Sequence, residues 1–150
     1  MTDKKIEERM IADRLLHGQW RPGKIGKPLS YFETRRVFLD CRGPLRIDPS
    51  SEWGWFVMVL TQSHDVSNGE YTNPVVQRGV TVDEHAWIGS RALLYNCHVK
   101  HHAIVACGAV VRNMTVEPYT VVQGNPARAY KRFVEGEWVK EIERLSNGNG

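Results

Sequence analysis

Large aliphatic residues recur every six positions through the middle of this 150-residue chain: Val76, Val82, Ile88 and Leu94, then, after one residue is dropped, Val99, Val105 and Val111. Four positions after the first six of these stand Val80, Ala86, Ala92, His98, Ala103 and Ala109, of which five are small or β-branched. A period of six fits neither the 3.6-residue helix nor the two-residue alternation of a half-buried strand. It predicts a coil of three short strands per turn, with the large residue on the axis and the small one easing each corner. Each coil takes about eighteen residues, and successive coils stack at a strand spacing of about 4.8 Å. A sandwich of ordinary strands would need hairpin turns every 8–12 residues, and this stretch lacks them. Upstream, Leu45, Ser51 and Val57 keep the same step, as do Ile47, Trp53 and Val59. Ser51 and Trp53 are poor axial residues, so the first part of the coil is expected to be distorted.

The ends carry a different pattern. From Asp3 to His17, Ile6, Met10, Ile11 and Leu15 fall on one helical stripe, and Gly18 supplies a stop. Gln19 to Leu29 holds Pro22, Gly23, Gly26 and Pro28 and reads as a connector. From Glu135 to Leu145, helical spacing returns through Val139, Ile142 and Leu145, and Asn147 to Gly150 reads as a frayed end. The expected organisation is one domain: helix and connector over 1–36, coil over 37–132, helix and tail over 133–150.

Composition narrows the classes. With 41% hydrophobic and 25% charged residues the chain is not of disordered type, and 13 Gly, 7 Pro and 3 Cys exclude a collagen-like or disulfide-stapled scaffold. The longest stretch without charged or strongly polar residues, Ala103 to Val111, is far short of the roughly 20 residues of a membrane span. The opening residues lack the apolar region of a secretory signal. Cys41, Cys97 and Cys107 are odd in number and without CxxC spacing, which suits a reduced, cytoplasmic setting. Net charge is only +3, although Arg21, Lys24, Lys27, Arg35, Arg36, Arg42 and Arg46 cluster. The cluster reads first as a solvated basic face and second as a surface for an anionic substrate. No nucleic-acid module accompanies it.

Three segments carry chemistry: Thr61-Gln62-Ser63-His64-Asp65, Ala86-Trp87-Ile88-Gly89-Ser90, and Val121-Val122-Gln123-Gly124-Asn125-Pro126-Ala127-Arg128. Together they resemble the hexapeptide-repeat acyltransferases, over roughly residues 37 to 132. The nearest likeness is to the sugar and polysaccharide O-acetyltransferases, with antibiotic acetyltransferases next. The resemblance implies an all-β fold, a left-handed parallel β-helix flanked here by short N-terminal and C-terminal helices. It also implies a homotrimer and acetyl-CoA as acyl donor.

Transfer of an acetyl group to an alcohol needs a base near neutral pH that later returns a proton to the leaving thiolate, and histidine suits both halves. His64 matches the family's catalytic histidine. The residues after it, Val66 to Pro74, break the six-residue register and predict a loop walling the acceptor site. Asp65 is a second candidate, although neighbours on extended backbone face apart, so it either ligates the acceptor or caps the loop.

On the donor side the resemblance places Ser90 against the pantetheine arm, with Trp87 packed on it. Cys107, seventeen residues on, stacks beside Ser90. It reads as a small buried hydrophobe in preference to an acyl-carrying nucleophile. Arg112-Asn113 stands where the family tends to have a Thr-Lys pair, so the charge is displaced by one residue. Arg128 and Lys131 match basic positions at the nucleotide end of CoA, whose phosphates suit both side chains, with Arg132 as an additional cation.

A carbonic-anhydrase-like metalloprotein of the γ class shares the coil, but its metal-ligand positions fall on Ser90 and Tyr95, which are not usual zinc ligands. No metal is expected in the chain. His85 and His102 are positioned to stack, while Asp83 over Lys100 and Glu84 over His101 suggest a mixed-charge ladder. Trp53, Trp55 and Tyr71 read either as core or as stacking surfaces for a sugar.

Overall fold

A computed structural model describes residues 2–6, 16–18, 25–75 and 78–141 of the chain. In chain order the elements are β1 (Leu16–Gly18), α1 (Leu29–Thr34), β2 (Phe38–Cys41), β3 (Leu45–Ile47), β4 (Glu52–Trp53), β5 (Met58–Leu60), β6 (Ser63–His64) and β7 (Pro74–Val75). They continue as β8 (Val80–Val82), β9 (Trp87–Ile88), β10 (Leu93–Val99), β11 (Ile104–Val105), β12 (Val110–Val116), β13 (Thr120–Gln123), β14 (Arg128–Val134) and β15 (Glu137–Lys140).

The expected parallel coil is present. Its axis is filled by three columns set one above another by the strand register: Ile47, Val82, Val99 and Val116; Trp53, Ile88, Val105 and Val122; and Val59, Leu94 and Val111. None of these side chains is more than 4% exposed. Val76, the first residue of the repeat, lies outside the described residues.

The step between coils is 17 residues, as from Val82 to Val99 to Val116, so the dropped residue recurs in each later coil. Its cause is the corner at Gly79, Asn96 and Asn113, all with positive φ. There β10 and β12 each run straight through the corner and serve two faces, β10 pairing β5 through Leu93–Tyr95 and β8 through Cys97–Val99. Asn tolerates this left-handed backbone, and its side chains build a ladder: Arg78 N–H donates to Asn96 Oδ1 at 3.2 Å, and Asn96 Nδ2 donates to Asn113 Oδ1 at 2.9 Å. Gly79 has φ 71° and an added Cβ would fall 2.0 Å from the Pro44 carbonyl oxygen, so only glycine fits. The lost residue also explains His98: Cys97 takes the inward small-residue slot, 1% exposed, and His98 turns outward.

The first coil is not distorted. Leu45–Ile47, Glu52–Trp53 and Met58–Leu60 pair in register with the coil above. Ser51 and Trp53 are both buried and satisfy each other, Trp53 Nε1 donating to Ser51 Oγ at 2.9 Å. The step here is 35 residues because the chain leaves the coil after Leu60 and its next paired strand begins at Val80.

The outer edge of this coil is covered on all three faces, as an open sheet edge requires. Gly26 N–H donates to Ile47 O at 2.8 Å. Trp53 N–H donates to the Tyr31 hydroxyl at 2.9 Å, and Arg35 Nε donates to Trp53 O at 3.0 Å. β2 pairs with β5. Helix α1, which starts where the connector was expected to end, buries Leu29 and Phe32, and Phe32 meets Trp53 edge-on at 5.4 Å.

The terminal helices are shorter than the spacing predicts. Residues 3–6 are helical and Ile6 is buried, but Leu16–Gly18 forms a strand parallel to β2, the pairing demand of that edge overriding the helical stripe. Met10, Ile11 and Leu15 lie outside the described residues. At the other end Glu137–Lys140 is a strand, not a helix; Glu135 and Gly136, with φ 50° and 85°, make the two-residue turn that folds it back on β14. Glu141 is helical, and Ile142, Leu145 and the final residues lie outside the described set.

The basic cluster is not one solvated face. The Arg35 guanidinium lies 3.7 Å and Lys27 Nζ 4.2 Å from the Tyr31 ring centroid, and Arg42 pairs with Asp40. Arg21 and Lys24 lie outside the described residues.

Candidate functional site

The face built by β9, β11 and β13 carries an outward column of Trp87, Ile104 and Val121. At its corner Ser90 and Cys107 stand one coil apart, tied by Gly89 N–H to Val105 O at 2.8 Å and Gly108 N–H to Ser90 O at 2.9 Å. Ser90 Oγ accepts the Trp55 N–H at 3.0 Å. Gly54 backs this contact: an added Cβ there would sit 2.5 Å from Ser90 N and Oγ. Gly54, Gly89, Ser90 and Cys107, with Trp87 and Lys131, line a groove of ≈ 400 Å³. It shares Ala106 and Cys107 with a second groove of ≈ 440 Å³ lined by Gln123, Gly124, Arg128 and Tyr130. Trp87, Ser90, Cys107, Lys131 and Arg128 therefore follow one track along the coil. Gly54, Gln123 and Tyr130 are members that the sequence did not single out: Gln123 lies within the Val121–Arg128 segment, whereas Gly54 and Tyr130 lie in no motif that marks them.

Cys107 is exposed, contrary to the buried role expected of it. The inward small positions around it belong to Ala103 and Ala109, leaving Cys107 on the outer side of the corner. Cys41 and Cys97 are the buried thiols, and burial pushes the Cys97 pKa up to about 12. Arg112 and Asn113 do not line the track. Asn113 is committed to the asparagine ladder, and Arg112 is an exposed residue of β12 beside Tyr95. Arg132 is engaged by Glu141 at 3.3 Å. Lys131 sits on β14 opposite Val121, its Nζ 5.3 Å from the Trp138 ring centroid.

His64 stands on the excursion. β6 and β7 pair antiparallel, Ser63 with Val75 and His64 with Pro74. The base of this excursion is clamped by Asp40, fully buried, which accepts Arg42 Nε at 2.8 Å and Arg42 Nη2 and Thr61 N–H at 3.0 Å each. Burial alone would raise the Asp40 pKa, but the hydrogen bonds from Arg42 and Thr61 outweigh it and hold the carboxyl below its ordinary value. At the outer end His64 Nδ1 lies within hydrogen-bonding distance of the Thr72 carbonyl. A carbonyl oxygen only accepts, so Nδ1 carries a proton, and in the neutral ring this tautomer leaves the lone pair on Nε2. Tyr71 packs edge-on against the imidazole at 5.5 Å.

Asp65 does not reach His64. Its carboxylate accepts the Ser67 N–H at 2.9 Å, which lowers its pKa, and its carbonyl accepts the Thr72 N–H at 2.9 Å. The geometry is that of a loop cap. Trp53 is core, whereas Trp55 and Tyr71 are exposed. His85 and His102 do meet, with ring centroids 5.0 Å apart, but the rings are tilted by 42° and not stacked. The charge ladder is arranged differently from the expected one: Asp83 pairs with His98 at 2.6 Å, and Lys100 with Glu117 at 3.0 Å.

No family model matches the chain. Over 58 residues it is 41% identical to a chloramphenicol acetyltransferase of Escherichia coli, a match that covers 37% of this chain and 27% of that protein. Among solved structures it is similar to a variant of AntD, an N-acyltransferase from Bacillus cereus in complex with dTDP and coenzyme A. There the TM-score is 0.53 and the identity 17%, over 69% of this chain and 57% of that one. It is also similar to a hexapeptide-repeat-containing acetyltransferase from Vibrio cholerae in complex with acetyl-coenzyme A, with TM-score 0.52 and 21% identity, covering 61% of this chain and 51% of that one. The chain thus spans about half the length of these structures. At such identities the likeness shows a shared fold, the stacked parallel coil of the hexapeptide-repeat proteins.

Proposed function

We propose that the chain is an O-acetyltransferase moving the acetyl group of acetyl-CoA to a hydroxyl of a sugar or polysaccharide precursor, and that it works as a cytoplasmic homotrimer. The observation that carries this reading is the track from Trp87 and Ser90 past Cys107 to Lys131 and Arg128. Its residues fit the donor. Small residues at Gly54 and Ala106 leave backbone open to a narrow pantetheine arm, Trp87 gives it an apolar wall, and Arg128 and Lys131 supply cations toward the phosphate end. When bound, acetyl-CoA supplies an acyl group activated as a thioester.

In this account His64 Nε2 accepts the proton of the acceptor hydroxyl as that oxygen attacks, and afterwards delivers it to the departing thiolate. Thr72 O holds the imidazole in the tautomer that makes this possible. Asp65 shapes the loop that presents His64. Among the described residues of one chain, none of the excursion lines the Ser90 track. A homotrimer in which His64 of one chain faces the track of the next would unite them. A second reading, transfer to a hydroxyl of an antibiotic, is favoured by the local identity to the chloramphenicol enzyme.

The test is thiol release from acetyl-CoA across a panel of sugars, polysaccharide units and antibiotics, with mass spectrometry of the product. An O-acetylated sugar is the expected result, and an acetylated antibiotic would select the second reading. Absence of any acetyl-CoA binding by calorimetry would overturn both.

A further inference from the structure

His101 and His102 occupy the corner between β10 and β11. Neighbouring side chains on extended backbone point apart. His102, however, has φ 57°, and its left-handed backbone swings the two rings together, so that their Nδ1 atoms lie 3.1 Å apart. Both rings are held. His102 is stacked on Tyr119 at 4.8 Å and tilted against His85 at 5.0 Å, while His101 meets Tyr119 edge-on at 5.5 Å. The corner column His85, His102 and Tyr119 thus fixes the pair from the coils on either side. Two neutral imidazoles facing through Nδ1 satisfy each other only when one carries its proton there. A cation reached by both lone pairs satisfies them equally. Two nitrogens on one zinc ion, each at about 2.0–2.1 Å, stand roughly 3.0–3.4 Å apart, so the observed spacing needs little rearrangement.

We propose that His101 and His102 form a two-histidine chelate for a late first-row divalent cation such as Zn²⁺, with water completing the coordination. Imidazole ligands favour zinc, copper and nickel over magnesium and calcium. Among the described residues no three His, Cys, Asp or Glu side chains are gathered around one point, so this is an open surface site and not a closed structural one. His102 also borders a cavity of ≈ 380 Å³ with Trp87 and Tyr119, which leaves room for bound water. Rings fixed before binding lose less freedom on chelation than free side chains do.

The test uses the full chain without an added histidine tag, titrated with ZnCl₂ and separately with MgCl₂, followed by calorimetry and by NMR of the imidazole C–H resonances. One Zn²⁺ per chain is expected, with no Mg²⁺ binding, and the His101 and His102 resonances move first. His101→Gln and His102→Asn should each weaken Zn²⁺ binding at least about tenfold, Asn being chosen because it keeps the left-handed backbone. The NMR result on the unmodified chain stands even if a variant fails to fold. Zn²⁺ affinity unchanged in the double variant, resonances of other histidines moving in place of these two, or no Zn²⁺ binding would each overturn the proposal.

Discussion

The coil and the excursion at residues 61–75 are neighbours in sequence and opposites in construction. In the coil the strands stack their buried side chains on a shared axis, so a loss at one position is felt by the coils above and below. The excursion is a two-strand ribbon whose residues from Ser63 to Val75 are all exposed. It is held by polar atoms at its base and by the Thr72 carbonyl at its tip. The difference teaches that rigidity and chemistry are divided here: the coil holds the candidate donor track, and the excursion carries the candidate base.

That division predicts a graded set of outcomes. Replacing His64 with Ala should lower kcat by about 10²–10⁴-fold, while stability by denaturant unfolding moves by less than about 0.5 kcal/mol, as for other exposed positions. Ile88→Ala should do the reverse, costing about 2–5 kcal/mol through a cavity on the axis.

Asp40→Asn, at the junction of the two regions, should cost about 2 kcal/mol by leaving donors of Arg42 and Thr61 mismatched. It should also alter the acid limb. The folded-state pKa of Asp40 is depressed, so its contribution is present above the unfolded value of about 3.9 and is lost as pH falls through the lower folded value. Equilibrium unfolding between about pH 2 and pH 6 should therefore show a shallower loss in the Asn variant than in the parent.

Lys131→Ala should raise the dissociation constant for acetyl-CoA by about tenfold, equivalent to about 1.4 kcal/mol, without changing stability. Smallest of all, Asn113→Ala should cost about 1 kcal/mol from the broken ladder and the left-handed backbone and leave donor affinity intact. A change in donor affinity in that variant would return Asn113 to the track.

How much of this was legible in the sequence follows from the same division. The axis takes one large side chain per face of each coil, so Val82, Ile88, Leu94, Val99, Val105 and Val111 advertise it. Where two poor axial residues satisfy each other, as Ser51 and Trp53 do, the period fails in sequence but holds in space. Ser90 and Cys107 were legible as stacked neighbours because the dropped residue could be counted. That Asn113 joins a corner ladder beside Arg112 was not legible, because the reason for that dropped residue, a strand running on through a left-handed Asn, shows only in three dimensions. The excursion leaves no period at all. His64 was found through its motif, whereas the Asp40 clamp and the Thr72 contact join residues 21 and 8 positions apart and carry no local signature. At the C-terminal end, Glu135-Gly136 was a readable hairpin turn that the helical spacing of Val139, Ile142 and Leu145 obscured.

The central claim, that the coil binds the donor and His64 acts on the proton, is tested most directly by calorimetric titration of acetyl-CoA into the parent chain and its His64→Ala variant. The account predicts dissociation constants that agree within about twofold while kcat collapses. Loss of acetyl-CoA binding in the variant, or retention of full turnover, would contradict it.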